Sequence, residues 1–402
     1  MRKVSERAVV FLIGAVQFVN ITDFVMVMPL GPDFARALDI PTSQLGVIGA
    51  SYTWAASLAG LAGSFFLDRF DRRKVLALAM LGLVVGTVAG GFATSLTTLV
   101  LARVFAGAFG GPATSISLSI IADVVPPERR GRAMGAVFTA FSIASVLGVP
   151  AALYVAQLGG WRIPFFLVGG IGFLLMALAI LLLPPMTGHL AGLRDAQATG
   201  YGFLRRPLVW LSYSLTFVTM ASGFVLIPNI SAYVQQNLGY PREKIALLYA
   251  VGGVASFIVL RLGGLLVDLW GSFKVGSFGI FAFVASVYVG FVDYRGLPVL
   301  LLFVLFMGST GFRNVAYNTL ASKVPRPPER ARFMSLQSSV QHLAAGLGAY
   351  LSSVILIEAH GVLVHVDQLA WITIGSSLAI PVLLFLVERR VRANSAVPAP
   401  AG

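Results

Sequence analysis

The chain contains no cysteine and few charges: Asp, Glu, Lys and Arg make up 11% of its 402 residues. The absence of cysteine excludes disulfides, Cys-ligated zinc, iron–sulfur clusters and thiol catalysis. A soluble globular domain carries roughly a quarter charged residues, whereas 57% of this chain is hydrophobic. So much apolar surface does not fit inside a water-soluble core. We therefore expect lipid to be the solvent of most of the chain.

Motifs of enzymes and ATP-driven pumps are also missing. The chain has no Gly-x-x-x-x-Gly-Lys-Ser/Thr loop, no His-Glu-x-x-His and no Gly-x-Ser-x-Gly. We expect no enzymatic activity, no cofactor and no metal. In a soluble protein, the formal net charge of +13 would suggest a nucleic-acid partner. We expect none here, because the positive residues fall in short loops between apolar runs.

Twelve apolar runs approach the ~20 helical residues that cross a bilayer. The first, Ala8 to Pro32, is too long for the ~7–15-residue apolar segment of a signal peptide, and Asp23 interrupts it. The predicted spans are residues 8–32, 42–66, 74–93, 96–122, 132–157, 163–184, 208–236, 244–267, 274–292, 297–322, 333–357 and 367–387.

Positive charges are shared unequally between the two sides of this arrangement. Of the 29 Lys and Arg residues, 21 fall on the side of both termini, five on the other side and three inside spans. Loops rich in Lys and Arg stay in the cytoplasm. We therefore predict a multi-pass protein of the plasma membrane, a bacterial inner membrane, with both termini cytoplasmic.

Two loop motifs repeat at nearly the same spacing. Asp68 after span two corresponds to Asp268 after span eight, 200 residues on. Glu128 after span four corresponds to Glu329 after span ten, 201 residues on. Two like halves related by an axis along the membrane normal, with a substrate site between them, form a transporter architecture.

These patterns predict an all-α membrane protein with twelve transmembrane helices in two pseudo-symmetric six-helix bundles. The predicted parts are an N-terminal bundle (1–186), a cytoplasmic linker (187–206), a C-terminal bundle (207–392) and a disordered tail (393–402). We expect the protein to function as a monomer in the lipid bilayer.

The loop after span two resembles the major facilitator superfamily pattern Gly-x-x-x-Asp-Arg-x-Gly-Arg-Arg, which is matched at Asp68, Arg69, Arg72 and Arg73. Asp71 stands where the family has glycine, and Asp tolerates left-handed backbone better than most residues. The resemblance covers nearly the whole chain and implies the major facilitator fold.

Two further motifs carry the resemblance. The family's span-four signature Arg-x-x-x-Gly is present as Arg103 and Gly107, and span five has an altered form of the antiporter pattern Gly-Pro-x-x-Gly-Gly at Gly148 to Ala152. The chain is most similar to the 12-span drug:proton antiporter and arabinose-efflux-like group.

The resemblance also implies roles for the loop residues. Asp68 would cap the start of span eleven, Asp268 would cap the start of span five, and Arg72 would pair with Asp123. Contacts made only when the cytoplasmic side is closed would gate transport; alternatively, these basic residues only follow the positive-inside rule. The predicted gating residues are Asp68, Arg69, Arg72, Arg73, Asp123, Gly264, Asp268 and Gly271.

Asp23 is the only acid well inside a span, where a charge costs ~2.5–3.5 kcal/mol on insertion scales. Gln17 and Asn20 precede it at three-residue intervals and share its helix face. Asp23 and Arg103 lie roughly 13 and 10 Å below the outer side. By resemblance both spans line the central cavity, so we predict that the two residues meet and that Asp23 binds the coupling proton. The alternatives are a static ion pair or an inert position.

Other polar residues inside spans are candidates for the cavity. His342 is a candidate second proton site because histidine titrates near neutral pH; otherwise it is hydrogen-bonded to a neighbour. Three arginines (Arg103, Arg261 and Arg313) against one acid suggest an anionic substrate, unless helix carbonyls neutralise them. The predicted substrate cavity contains Gln17, Asn20, Asn229, Tyr233, Arg313, Asn314, Tyr317 and Gln341.

We predict proton-coupled efflux of a small molecule, in which the two bundles rock about a central site. Substrate and protons are the expected partners. One alternative is a proton symporter or uniporter for an organic anion or other metabolite, which the altered span-five motif and the arginines inside spans favour. An alternative of another class is a non-transporting receptor or scaffold. Pro150, Pro228 and the Gly252-Gly253 pair are predicted hinges.

Overall fold

The computed structural model describes residues 5–187, 202–326 and 329–396. Eleven helical stretches among them are long and apolar enough to cross a membrane. The twelfth, Arg330–Ile355, is one continuous helix of 26 residues. It is less apolar because it carries polar residues such as Gln337, Gln341 and His342. The predicted all-α, twelve-span fold is confirmed.

The first half contains six spans and one short helix, Gly31–Leu38, between spans one and two. In chain order the spans are Glu6–Met26 (span one), Leu45–Phe66 (span two), Arg72–Gly91 (span three), Leu96–Val124 (span four), Pro127–Ile143 with the π-helical turn Ala144–Gly148 and Val149–Gly159 (span five), and Ile163–Leu182 (span six).

The second half repeats this plan and adds an antiparallel hairpin of strands β1, Ile357–Ala359, and β2, Val362–Val364, between spans eleven and twelve. In chain order its spans are Pro207–Phe224 with Ile227–Asn229 and Ile230–Gln236 (span seven), Ile245–Trp270 (span eight), Ser272–Val287 with Tyr288–Val292 (span nine), Val299–Ser322 (span ten), Arg330–Ile355 (span eleven), and Val366–Ser377 with Ala379–Ala396 (span twelve).

Twelve crossings return the chain to its starting side. We call this side, which holds the start of span one and the end of span twelve, the terminal face. The opposite side is the distal face. It carries the helix Gly31–Leu38 and the hairpin.

Polar side chains fix the starts of several spans. Ser5 Oγ accepts from the Ala8 amide at 3.2 Å, and Ser95 and Thr98 cap span four reciprocally. Asp71 Oδ1 accepts from the Arg73 amide at 2.9 Å, so it caps span three. Its φ of −56° is ordinary, and the left-handed tolerance inferred from the sequence is therefore not used.

Two of the three predicted hinges coincide with breaks in a helix. A π-helical turn precedes Pro150, and Pro228 lies in the 3-10 turn that divides span seven, since proline has no amide to donate. At the third, the glycine pair, span eight runs unbroken. A Cβ added to Gly253 would lie 2.6 Å from the Ser145 carbonyl oxygen, so this glycine instead allows spans five and eight to cross closely.

Some boundaries differ from the sequence-based ones. Span one ends at Met26 rather than at Pro32, and the chain turns through residues 27–30 before the next helix, where Pro29 has no amide to continue the ladder. Span twelve continues to Ala396, into the predicted tail. Residues 188–201 of the predicted linker and 397–402 of the predicted tail lie outside the described residues.

The two halves pack closely towards the distal face. One hydrophobic cluster there combines Leu30 and Phe34 of the first half with Leu248 and Phe306 of the second, and all four are at most 2% exposed. Separate clusters fill each bundle towards the terminal face. The halves are therefore separate cores joined at one end.

Candidate functional site

Asp23 and Arg103 form an ion pair inside the first bundle. Arg103 Nη1 donates to Asp23 Oδ1 at 2.9 Å, and Nη2 donates to the Asp23 backbone oxygen at 3.3 Å. The two side chains are 0% and 1% exposed. The residues, 80 positions apart, thus meet as their depths in spans one and four predicted.

Two residues that sequence reasoning missed complete this pair. Thr87 Oγ1 of span three donates to Asp23 Oδ1 at 2.8 Å. The Arg103 guanidinium lies 4.5 Å from the ring centroid of Tyr52 in span two, a cation–π contact. Asp23 Oδ2 has no hydrogen-bond partner among the described residues. Asp23 Oδ1 therefore lies within hydrogen-bond distance of two donors, whereas Oδ2 has no such donor in the described part of the chain.

The predicted depth of Asp23 assumes a span that extends to Pro32, whereas the regular helix ends at Met26 and has Asp23 in its last turn. The site is nevertheless enclosed, because the turn beyond is itself buried: Val27 is 3% and Leu30 0% exposed. The enclosure comes from the packing of the turn rather than from a longer helix.

The polar stripe of span one faces spans two and four. Asn20 Nδ2 donates to the Gly110 carbonyl at 2.9 Å and to Thr114 Oγ1 at 2.8 Å. Tyr52 Oη donates to Asn20 Oδ1 at 2.9 Å, and Gln17 Nε2 donates to the Thr114 carbonyl at 3.3 Å. Tyr52 therefore links this network to the ion pair.

Gly107 has a steric reason to be glycine. A Cβ built on it would lie 2.2 Å from the Tyr52 carbonyl oxygen, a backbone atom that has little freedom to move. The missing side chain lets span two press against span four and places the Tyr52 ring over Arg103. The Arg-x-x-x-Gly motif thus combines a charge with the space for its aromatic partner.

A second polar group occupies the second bundle. Tyr317 Oη of span ten accepts from Gln341 Nε2 of span eleven at 2.8 Å. Arg313, one turn away, is 1% exposed, donates from Nη1 to Ser222 Oγ at 3.3 Å and lies 4.3 Å from the Phe283 ring centroid. No carboxylate among the described residues pairs with it.

Four further predicted residues make their contacts in the described chain with partners outside both groups. Asn229 Nδ2 donates to Ser352 Oγ at 2.9 Å, and Tyr233 Oη donates to the Gly290 carbonyl at 2.7 Å, both in the distal part of the second half. The Asn314 carbonyl accepts from Asn318. The partly buried His342 presents its ring edge-on to Phe24, with 6.4 Å between centroids.

The predicted gating residues of the first half form local contacts on the terminal face. Arg72 Nε lies 2.8 Å from Asp123 Oδ2, the pair that the resemblance implied. Arg73 Nη1 donates to the Leu183 carbonyl at 2.9 Å, and Arg69 is exposed. The Asp68 side chain lies outside what the structure describes.

The second-half loop is held by a residue that the sequence reasoning did not select. Asp268 is exposed and shows no hydrogen bond or ion pair to span five in the described part of the chain. Gly271 takes a φ of +88° between spans eight and nine. Glu388 of span twelve accepts from the Phe273 amide and from Arg392.

Charged and polar contacts close the distal face between the halves, and we call them the distal seal. Arg242 Nε donates to both carboxylate oxygens of Asp33, at 2.7 and 2.9 Å. Glu358 Oε2, in the hairpin, accepts from the Thr42 amide at 2.6 Å and from its hydroxyl at 2.8 Å. Ser231 Oγ donates to the Pro29 carbonyl at 2.9 Å.

Two like six-span bundles joined at one face, with charged residues buried inside the membrane-spanning part, define the architecture of secondary transporters. The sequence profile of the Major Facilitator Superfamily matches residues 13–348 and 212–401. The chain belongs to this transporter family. The match does not identify a subgroup within it.

Solved structures of several transporters share the fold. A bacterial homologue of the human lysosomal transporter Spinster, in an inward-facing, unoccupied conformation, is 18% identical with a TM-score of 0.76, and 100% of each chain is covered. A D-xylose–proton symporter is 17% identical with a TM-score of 0.76 over 94% of this chain and 97% of that one. The human organic anion transporter MFSD10 (TETRAN) is 18% identical with a TM-score of 0.68 over 95% of this chain and 100% of that one.

Proposed function

We propose that the protein exports a small molecule in exchange for protons. The observation that carries the proposal is the buried Asp23–Arg103 pair, in which Asp23 Oδ1 is held by two donors while Oδ2 has none among the described residues. Ionisable residues inside spans are expensive and mark proton or substrate pathways. Asp23 is the residue that takes up the proton, and Oδ2 is the oxygen that receives it.

Protonation removes the negative charge that balances Arg103. A guanidinium cannot lose its own proton under physiological conditions, so protonated Asp23 leaves an uncompensated buried cation. Such a state is strained until Arg103 finds another partner or the helices move. Proton binding at Asp23 is thereby coupled to a rearrangement of spans one and four, with Tyr52 and Thr87 as the remaining contacts of the pair.

The contacts between the halves support alternating access. In the described chain, hydrogen bonds between the halves run from Asp33–Arg242 at the distal face to Ser57–Ser339 near the middle of spans two and eleven. Opening the distal side requires these bonds to break while the bundles rock. The excess of Lys and Arg on the terminal face supports a cytoplasmic position for that face. The proposed location is the inner membrane of a bacterium.

The test is efflux of a compound panel (dyes, antibiotics, sugars and organic anions) from a bacterium that lacks its own exporters. Wild type is compared with Asp23→Asn at equal membrane expression. Everted vesicles with a pH-sensitive dye report whether adding the exported compound dissipates a preset proton gradient. Asp293→Asn is the matched control, since the Asp293 side chain, as far as the structure describes the chain, pairs only with nearby Arg295 in a distal loop.

We expect export by wild type and by Asp293→Asn, and loss of both export and proton movement in Asp23→Asn. If Asp23→Asn still exports the compound undiminished against a gradient, the Asp23–Arg103 pair has a purely structural role. The drug:proton antiporter group is the subgroup that the expected outcome would support.

A second candidate is uptake of an organic anion or other metabolite by symport or uniport. Arg313, which has no acidic partner among the described residues, favours it. Wild type that exports nothing from the panel but accumulates an added anion would select this function. The coupling role of Asp23 is then tested in the same vesicles with the gradient reversed.

A further inference from the structure

Arg313 is a buried charge without a counter-ion in the described chain. It lies in the middle of span ten and is 1% exposed. Arg103, the buried arginine of the first bundle, has a carboxylate partner, whereas Arg313 has the Ser222 hydroxyl and the face of Phe283. An uncompensated charge in the membrane interior is unfavourable, so such residues as a rule face a partner or a water-filled cavity.

The residue that packs against the Arg313 guanidinium is a glycine and supplies no acid. Asp23 of span one corresponds, at the 200-residue spacing of Asp68 and Asp268, to Gly223 of span seven. Gly223 lies directly against Arg313: a Cβ built on it would be 2.6 Å from Nη2. At this spacing Arg103 corresponds to Phe303 rather than to Arg313, so the two buried arginines are not equivalent in the repeat. Their surroundings differ nonetheless: Asp23 supplies a carboxylate to Arg103, whereas Gly223 supplies no side chain to Arg313.

The Nε–Nη2 edge of the guanidinium makes no hydrogen bond in the described chain and has the geometry that binds a carboxylate. Of its three nitrogens only Nη1 makes a hydrogen bond within the described chain, and Nε is buried without a partner there. Nε and Nη2 form the fork that grips a carboxylate through two parallel bonds. Arg242 uses this same edge on Asp33 in the distal seal.

The surroundings suit an organic rather than a simple inorganic anion. The ring of Phe283 covers one face of the guanidinium, and Tyr317, held by Gln341, lies one turn along the same face of span ten. Gln337, one turn from Gln341 on span eleven, is 2% exposed, and neither of its side-chain polar atoms has a partner among the described residues. Aromatic surface and a spare amide fit the apolar body and polar substituents of a small molecule.

We propose that Arg313 binds the carboxylate of a small organic anion, in a site formed by spans seven, nine, ten and eleven. That this anion is the transported substrate rests on the proposed function. The binding itself does not, because it requires only the buried fork of Arg313.

The experiment measures binding to the purified full-length protein in detergent by calorimetry and by thermal shift. The probes are matched pairs that differ in charge alone: benzoate and benzamide, salicylate and salicylamide, hexanoate and hexanamide. Sodium chloride at the same concentrations tests an inorganic anion. Arg313→Met removes the fork, Arg313→Lys keeps the charge without the fork, and Arg261→Met is the matched control, since Arg261 is exposed on span eight.

We expect at least one carboxylate to bind wild type and Arg261→Met about tenfold or more tightly than its amide, a factor readily resolved in Kd. Arg313→Met loses this preference, and Arg313→Lys weakens it. If Arg313→Met does not fold, the carboxylate preference of Arg313→Lys compared with that of wild type decides the test. The proposal falls if no carboxylate is preferred over its amide, if the preference survives in the Arg313 variants, or if chloride alone binds and displaces the carboxylates equally well.

Failure of the anion site is distinguishable from failure of the proposed function. Export that depends on Asp23, without carboxylate binding at Arg313, overturns the anion site and leaves the exporter standing. Carboxylate binding that depends on Arg313, without Asp23-dependent flux, overturns the exporter and leaves the anion site standing.

Discussion

Arg242 and Asp33, 209 residues apart in sequence, lock the two halves together at the distal face. Arg242 Nε lies 2.7 and 2.9 Å from the two carboxylate oxygens, and both side chains are less than one-fifth exposed. Next to this ion pair, Gln157 Nε2 of span five donates a hydrogen bond to the Glu243 carbonyl at 3.1 Å. An ion pair that bridges the bundles at one face stabilises the state in which that face is closed.

Replacing Arg242 by Gln should open the distal face more often. Hydrogen bonds to charged groups contribute ~1.5–3 kcal/mol, so we expect the open population to rise about tenfold or more. The chain has no native cysteine, and a single Ser231→Cys reporter, buried in the distal seal, measures the opening as its rate of alkylation. A rate that is the same with and without Arg242 would show that the pair does not hold the seal.

The control reporter for this experiment is Thr94→Cys. Thr94 is exposed in the distal loop between spans three and four, so its accessibility does not depend on the seal. Its alkylation should be equally fast in the wild-type background and in the Arg242→Gln background. A change at both reporters would point to a general loosening of the protein rather than to opening of the distal face.

Breaking the Asp23–Arg103 pair from one side should destabilise the fold strongly. Asp23→Asn leaves the buried Arg103 uncompensated, and loss of one partner of a buried pair costs ~3–5 kcal/mol. The double variant Asp23→Asn with Arg103→Gln should recover part of this loss. Thermal unfolding in detergent with a double-mutant cycle measures the coupling.

The exposed pair Asp293–Arg295 is the control for this cycle. Surface pairs contribute ~0–1 kcal/mol, so Asp293→Asn should leave the melting temperature nearly unchanged. Equal losses at the buried and exposed pairs would contradict a special role for the buried one.

Gly107→Ala should be destabilising despite adding helix propensity. The new Cβ would lie 2.2 Å from the Tyr52 carbonyl oxygen, so spans two and four must separate, at a cost of ~1–3 kcal/mol typical of overpacking. Gly170→Ala in span six is the matched change, because its added Cβ meets nothing within 4 Å. We expect it to be neutral or stabilising by up to ~1 kcal/mol. Thermal unfolding of both variants tests the prediction, which fails if the two behave alike.

Asp71 should matter as a helix cap and not for its charge. Its Oδ1 accepts from the Arg73 amide at 2.9 Å and from the Met186 amide at 3.0 Å, which ties spans three and six together. Asp71→Ala should lose ~0.5–2 kcal/mol of stability. Asp71→Asn keeps an oxygen acceptor and should retain most of it. A loss in Asp71→Asn as large as that in Asp71→Ala, measured by thermal unfolding, would show that the negative charge is what counts.

Sequence reasoning placed the ion pair but not its surroundings. Asp23 and Arg103 stood out because a charge inside an apolar span is rare, and their depths matched. Tyr52 and Thr87 carry no charge and gave only the weak signal of a polar group in an apolar run. Their roles depend on the rotation of spans two and three about their axes, which hydropathy does not set.

For the loop motifs, too, the sequence predicted some contacts and missed others. The resemblance implied the pair of Arg72 with Asp123, which the structure shows. It did not point to Glu388, which holds the second-half loop from span twelve. The repeat led us to expect like residues in like roles, whereas the supporting acid lies in the loop in one half, at Asp71, and on the last span in the other.

The sequence by itself determined that the chain is a twelve-span membrane protein made of two related halves, and it predicted which face holds both termini. These properties follow from the transfer of each segment into lipid and from the charges that flank it, which are local quantities. Only the tertiary structure decided which charges are neutralised: Asp23 by Arg103, Asp33 by Arg242, and Arg313 by no acid in the described chain. Such pairings join residues 80 to 209 positions apart. They depend on how helices rotate and approach, and the glycines at 107, 223 and 253 act through the side chains that they lack.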